Sequence, residues 1–307
     1  MSRPRLLVDC DPGLDDAVAL VAAARLGDLV GITTVGGNAP LRDVTTNALL
    51  VCQLFDLDVE VHAGAGRPLV AEPLHAPEIH GVSGFAGPDL PVLERTAASD
   101  AGVDYLIETV RAEEGLWLVP IGPLTNVALA FRSAPDLPER LAGISFMGGS
   151  STFGNRTPAA EFNVLADPEA AAVVLGSRAR IHMAGLDLTH QFVVDDGLAS
   201  DIAAIGRPGP TVLADLMTGY LDRVEAIRGL RQGGLHDPCA VLAVTNPEVI
   251  QSTARRVEVE LSGSLTRGMT VVDQRPGRTE NPNVHHGHTL HHPEARRLVL
   301  SALAAEN

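Results

Sequence analysis

The 307-residue chain is 45% hydrophobic but only 3% aromatic, enough for a sizeable core built mainly of Val, Leu, Ile and Ala. Its 38 acidic residues outnumber 23 basic ones for a formal net charge of -15, and every basic residue is an arginine. That excludes a Schiff-base lysine, a Walker-type phosphate lysine and the basic stripe that a nucleic acid polymer needs.

The first short apolar run, at 6–8, ends on Asp9-Cys10-Asp11-Pro12-Gly13-Leu14-Asp15-Asp16, four aspartates within eight residues. Further strand-like runs at 30–35, 59–63, 116–121, 144–147 and 181–183 alternate with helical spacing at 15–26, 44–55, 103–111, 126–132 and 167–175. This order predicts an α/β fold with a mostly parallel, open, Rossmann-like sheet covered by helices on both faces. Strict alternation at 256–261, followed by 269–272, predicts a C-terminal antiparallel hairpin, and 294–304 a closing helix. No repeat or linker divides the chain, so residues 1–307 are expected to form a single domain. The proline- and glycine-rich connection 67–91 is expected to act as a lid, and the stretch 221–234 is a second segment able to move over a ligand.

Carboxylates as close as Asp9, Asp11, Asp15 and Asp16 repel unless protons or a cation compensate. A hard cation with oxygen ligands, Ca²⁺ or Mg²⁺, meets that need. Helix capping explains one or two such acids well and four poorly. His236-Asp237-Pro238 also reads as an ordinary helix start, and Glu161-Phe162-Asn163, read as extended, puts Glu161 and Asn163 on one face. That carboxylate and amide suit a polyhydroxylated ligand. Each polar cluster follows an apolar strand, where ligands bind in open α/β sheets. His285, His286, His288, His291 and His292 lack a zinc pattern and are expected on a surface loop.

The run Asp9 to Ala17 resembles the signature of the inosine–uridine-preferring nucleoside hydrolases. Similar motifs follow in family order: Gly36-Gly37-Asn38, Ile79-His80-Gly81, Gly122-Pro123-Leu124-Thr125-Asn126, Met147-Gly148-Gly149, Ala160-Glu161-Phe162-Asn163, Gly185-Leu186-Asp187-Leu188-Thr189 and His236-Asp237-Pro238. The resemblance implies Ca²⁺-dependent cleavage of ribonucleosides into ribose and free base, by a homodimer or homotetramer. Asp11, Asp16 and Asp237 would hold calcium by carboxylate and Thr125 by its main-chain carbonyl. Asp11 would also take the proton of the attacking water. Asp15 and Asn38 would hold the ribose diol, with Asn155, Glu161 and Asn163 on its 3′- and 5′-hydroxyls and Asp9 supporting from behind. His236 would protonate the leaving base, with His80 near base or sugar. Tyr220 fits one position of a two-tyrosine relay found in some relatives, and Val224 occupies the other.

Two other readings remain open on residues alone. One is a Mg²⁺-dependent phosphohydrolase using Asp9 and Asp11, although no arginine lies near the acidic run between Arg5 and Arg25. The other is a non-catalytic, calcium-dependent ribose-binding protein. Cys10, Cys52 and Cys239 lack CxxC spacing, no apolar run reaches the ~18–20 residues of a membrane span, and the segment before Asp9 is too short for a signal peptide. A reduced, cytoplasmic protein without a membrane partner is therefore expected.

Overall fold

A computed structural model describes residues 3–85, 90–277 and 281–306. The chain alternates strands and helices through β1 (Arg5–Cys10), β2 (Asp28–Thr34), β3 (Val61–Ala63), β4 (Leu116–Pro120), β5 (Gly143–Met147) and β6 (Ile181–Ala184). Two two-residue strands, β7 (Val193–Val194) and β8 (Gly233–Gly234), form an antiparallel ladder. Then come β9 (Ile250–Arg255), β10 (Val257–Val259), β11 (Thr270–Val272) and β12 (Val284–Leu290). The main sheet runs β3-β2-β1-β4-β5-β6-β12-β9, parallel throughout except for the antiparallel edge strand β9.

The order explains where a ligand must bind. From β1 the chain winds outward through β2 to β3, then returns to place β4 on the other side of β1. The crevice at this reversal opens beyond the carboxyl ends of β1 and β4, which is where Asp11 and Gly122–Thr125 lie. Strand β1 can occupy the centre because Leu6, Leu7, Val8 and Cys10 are wholly buried. Leu6, Val8 and Cys10 pack into the core on one face of the sheet and Leu7 into the core on the other.

The helix Leu14–Leu26 follows directly and is buried continuously from Leu14 to Ala23. It is enclosed by the helices Pro208–Arg228, Pro238–Thr245 and His292–Ala304, and its small residues Ala17, Ala19, Ala22 and Ala23 permit that close packing. The aspartates that open it are thus fixed from every side.

The alternating segment forms the expected hairpin, β10 against β11. Two features differ from the sequence reading. The C-terminal histidines do not lie on a surface loop: His285, His286 and His288 are on β12, between β6 and β9, and His291 and His292 open the terminal helix. Histidines interrupt the apolar pattern there, yet His286 is buried because its ring meets Asp187 at 3.4 Å. Strand β9 went unpredicted because its residues are largely polar, as suits a sheet edge. In the connection 67–91 the described part holds one helical turn, Pro77–His80, while residues 86–89 lie outside the described residues.

Candidate active site

The turn after β1 is closed by Asp16, whose carboxylate accepts from the main-chain N–H of Asp11 at 3.1 Å and of Gly13 at 3.0 Å. Capping is therefore one of its tasks. The Asp11 carboxylate is buried, and its Oδ2 accepts from the Asn38 N–H at 2.6 Å. Its Oδ1 is buried and has no hydrogen-bond partner among the described residues. Glycines make room for that carboxylate: a Cβ on Gly37 would collide with Asp11 Oδ2, and one on Gly122 would lie 2.6 Å from Oδ1. The Asn38 amide donates to the Asp11 carbonyl at 3.1 Å and to Asp16 at 3.4 Å. Behind them Asp9 accepts from Thr33 at 2.5 Å and Asn126 at 2.7 Å, away from the cleft.

Asp237 precedes the helix Pro238–Thr245 and brings a fifth carboxylate. Oxygens of Asp15, Asp16 and Asp237 lie within 4.8 Å of one another, a group able to hold a metal ion. Burial raises every one of these acids above the usual carboxylate range; repulsion adds to it at Asp11, Asp15 and Asp237, while hydrogen bonds oppose it at Asp16. Asp15 is pushed up to about 7 and Asp16 to about 6, with Asp11 and Asp237 higher still. Burial lifts Asp9 to about 7 against its hydrogen bonds to Thr33 and Asn126. Unneutralised, this cluster would retain protons near neutral pH. Its all-oxygen donor set and the unpartnered Asp11 Oδ1 suit a hard divalent cation. The tightest trio contains Asp15 where the sequence reading placed Asp11, which adjoins it. Thr125 is buried with its hydroxyl donating to Asp167 at 2.6 Å.

Along one wall Glu161 caps the helix Phe162–Ala166 and accepts from the N–H groups of Gly149, Asn163 and Val164. Asn163 donates to the carbonyls of Ile121 at 2.8 Å and Met147 at 3.2 Å, at the ends of β4 and β5. Asn155 accepts from the Phe162 N–H at 2.9 Å. The segment is a helix start and not extended, so Phe162 lines the cleft together with Glu161 and Asn163.

At the other end the β7–β8 ladder and the Leu235 N–H bond to the Phe192 carbonyl, 2.7 Å, deliver His236. Its Nδ1 meets Thr189 Oγ1 at 2.8 Å, and its main-chain N–H donates to Asp15. Burial first, then His190, His80 and Arg228, holds the imidazole down at about 3, so the ring is neutral at physiological pH. His80 is likewise lowered to about 4 by burial, then by Arg223. The Tyr220 ring lies 6.3 Å from that of His80 and lines the same cleft. Val224, one turn on, packs into the core and faces away.

The cleft is about 260 Å³ and brings together Asp15, Asn38, His80, Asn155, Glu161, Asn163, Tyr220, His236 and Asp237. Asp11, Asp16 and Thr125 are buried beside its floor. Glu78, Arg156, Phe162, Ile227 and Arg228 also line it and were not singled out from the sequence. They come from a one-turn helix, a loop, a helix start and a helix end, where spacing does not reveal which way a side chain points.

A model of the family described as inosine-uridine preferring nucleoside hydrolase matches residues 6–297. The chain belongs to this family. Among sequence relatives of this nucleoside hydrolase is the pyrimidine-specific ribonucleoside hydrolase RihB of Escherichia coli. That protein is 39% identical over 277 residues, covering 89% of this chain and 88% of the relative. A purine-preferring ribonucleoside hydrolase from Gardnerella vaginalis superposes with a TM-score of 0.91 at 28% identity, covering 98% of each chain. The plant nucleoside hydrolase PpNRh1 does so with a TM-score of 0.91 at 27% identity and 99% coverage of each. The chain is thus a glycosidase acting on ribonucleosides. The relatives' names differ over the base, so preference for purine or pyrimidine does not follow from the fold. No helix among the described residues is long and apolar enough to cross a membrane.

Proposed function

We propose that this nucleoside hydrolase is calcium-dependent and releases free base and ribose through an oxocarbenium-like transition state. The observation that carries the reading is the buried carboxylate group: Asp15, Asp16 and Asp237 within 4.8 Å, with Asp11 Oδ1 unpartnered beside them. Asp11, Asp16, Asp237 and the Thr125 carbonyl would hold the ion. When bound, Ca²⁺ would lower the pKa of water and neutralise the cluster's repulsion.

The remaining work falls to the protein. Asp11 accepts the proton of the attacking water, while Asn38 holds Asp11 in place and Asp9 ties Thr33 and Asn126 together behind it. Asp15 and Asn38 face the ribose diol; Asn155, Glu161 and Asn163 face its other hydroxyls. Fission of the N-glycosidic bond builds positive charge on the sugar, and a pocket dense in carboxylates stabilises that charge more than the neutral substrate. The backbone bonds that fix Glu161 and Asp16 keep these oxygens in place before the charge appears.

His236, His80 and Tyr220 serve the departing base. His236 is neutral at physiological pH, so its N–H, with Thr189 fixing the ring, is the group offered to the base. The phosphohydrolase alternative loses its nucleophile, because Asp9 is buried under Thr33 and Asn126 and does not line the cleft.

Release of free base from inosine, uridine, cytidine and adenosine, with and without a chelator, tests the reading. Turnover that disappears on chelation and returns with calcium is expected; ribose binding without any turnover would leave only a sugar-binding protein.

A further inference from the structure

Asp187 follows β6 in the one-turn helix Leu186–Thr189 and does not line the cleft. Its carboxylate does not cap that helix. It turns instead to the segment that continues beyond β5: Oδ2 accepts from the Ser151 N–H at 2.6 Å, and Oδ1 from the Thr152 hydroxyl at 2.8 Å. From behind, His286 on β12 brings its Nε2 to 3.4 Å from Oδ2. The Gln191 side chain donates to the Asp187 carbonyl at 2.7 Å, which fixes the main chain as well. Burial pushes the Asp187 carboxyl up, but His286, Ser151 and Thr152 outweigh it and hold the group well below the usual carboxylate range. No arginine pairs with it among the described residues, so the charge is spent on holding this segment.

The segment leads to the cleft. Thr270 of β11 pins its start, taking the Ser150 N–H at 2.8 Å and donating to the Ser150 carbonyl at 2.6 Å. From Phe153 to Ala160 the main-chain N–H bonds among the described residues stay within the loop, such as Gly154 to the Pro158 carbonyl and Arg156 to the Ala160 carbonyl. Ser151 and Thr152 are thus its last hydrogen-bonded ties to the sheet before Asn155. The Asn155 Oδ1 accepts from the Phe162 N–H, and its NH₂ group lines the cleft with no partner among the described residues. That group is left to donate to a ligand oxygen. With the ribose diol at Asp15 and Asn38, the hydroxyl remaining for Asn155 is the one at C5′.

We propose that Asp187 is a positioning residue for the sugar: it holds Ser151 and Thr152 so that the Asn155 amide meets the 5′-hydroxyl of the ribonucleoside. This rests on the proposed placement of Asn155 at the ribose and names what keeps it there. The 5′-hydroxyl is remote from the bond that breaks, and binding energy from such a remote group serves to orient the reacting centre. Freed from Asp187, the loop carries Asn155 out of register and that energy is lost, although no group touching the nucleoside has changed.

The test measures kcat/KM on uridine and inosine and on their 5′-deoxy counterparts, so that the leaving base cancels within each pair. Asp187→Ala is expected to lower the rate on the parent nucleosides about 10- to 100-fold, the scale of a misplaced substrate contact, and to change the 5′-deoxy substrates less than about threefold. Asp187→Asn keeps an acceptor oxygen and recovers part of the loss. Thr152→Val, at an exposed position, removes only the Oδ1 partner and is expected to cost about fivefold with the same pattern, which keeps the comparison open if Asp187→Ala does not fold. In an Asn155→Ala background, adding Asp187→Ala is expected to cost less than about twofold more, because both act through one contact. Equal losses on the parent and 5′-deoxy substrates, or losses that multiply in the double variant, would make Asp187 a general scaffold residue and overturn the assignment. Unchanged turnover of the parent nucleosides by Asp187→Ala would overturn it too. Wild type that cleaves parent and 5′-deoxy nucleosides alike would instead remove Asn155 from the sugar, and this inference with it.

Discussion

At the sugar end of the cleft, Asp11, Asp16 and Asn38 are bound to one another and to the main chain at the carboxyl ends of neighbouring parallel strands, with glycines packed against the Asp11 carboxylate. At the base end, the turn Pro77–His80, the loop carrying Phe153 and Arg156, and the end of the helix Pro208–Arg228 come from distant parts of the chain. They meet through side-chain contacts, among them Arg156 with Glu78 and the His75 carbonyl, and Arg223 Nε to the Ile79 carbonyl at 2.8 Å. The sugar end is buried, whereas Phe153 and Ile227 at the base end are 56% and 53% exposed. Under the proposed roles, the groups that act on the glycosidic bond are fixed by the sheet, while those proposed to meet the base can be exchanged without disturbing it.

If that division holds, the largest effect belongs to the sugar end. Asp11→Asn is expected to lower free-base release on every nucleoside by about 10³–10⁴-fold, the scale of a lost general base, with an unchanged circular dichroism spectrum. Near-wild-type turnover would remove Asp11 from the chemistry.

A base-end substitution should instead discriminate between leaving groups. His236→Ala is expected to slow uridine or inosine by about 10²-fold or more while leaving p-nitrophenyl riboside nearly unchanged. Equal losses in the two assays would move His236 to the sugar end of the comparison. Arg156→Ala, which only opens the mouth, is expected to raise KM about three- to tenfold with kcat within twofold, because one partly exposed ion pair is worth little. A change confined to kcat would show that the pair does more than close the cleft.

The smallest effect concerns stability. Asp9, Asp15 and Asp16 have folded-state values raised from 3.8 to about 6–7, so the metal-free fold binds more protons than the unfolded chain across that window. Its stability therefore falls as pH rises from about 4 through about 7. His80 and His236, lowered by burial, act in the opposite sense below their ordinary value of 6.5, but do so with or without calcium. The gain in Tm on adding calcium is accordingly expected to be larger at pH 8 than at pH 5, read by differential scanning fluorimetry. A gain independent of pH would separate the cation from these carboxylates.

Much of the sugar end was legible from the sequence because its residues sit in short motifs immediately after buried strands, where chain position and spatial position coincide. Asn38 and Thr125 could be placed that way without knowing the register, whereas Asp237 read as an ordinary helix start and was assigned by the family resemblance. The base end was not legible to the same degree. Arg228 and Ile227 follow nine buried helical positions and give no sign that they turn toward a cleft, and Phe162 was misplaced because a helix start was read as extended chain. Strand β12 was missed because a buried histidine satisfied by Asp187 looks, in sequence, like a polar surface residue.

The central claim is that the buried aspartates work as a cation site for cleaving a riboside. Its most direct test is ribose release from uridine by the wild-type enzyme in a calcium chelator, followed by calcium add-back. The account predicts loss of turnover on chelation and its recovery with calcium. Undiminished turnover in the chelator would contradict it.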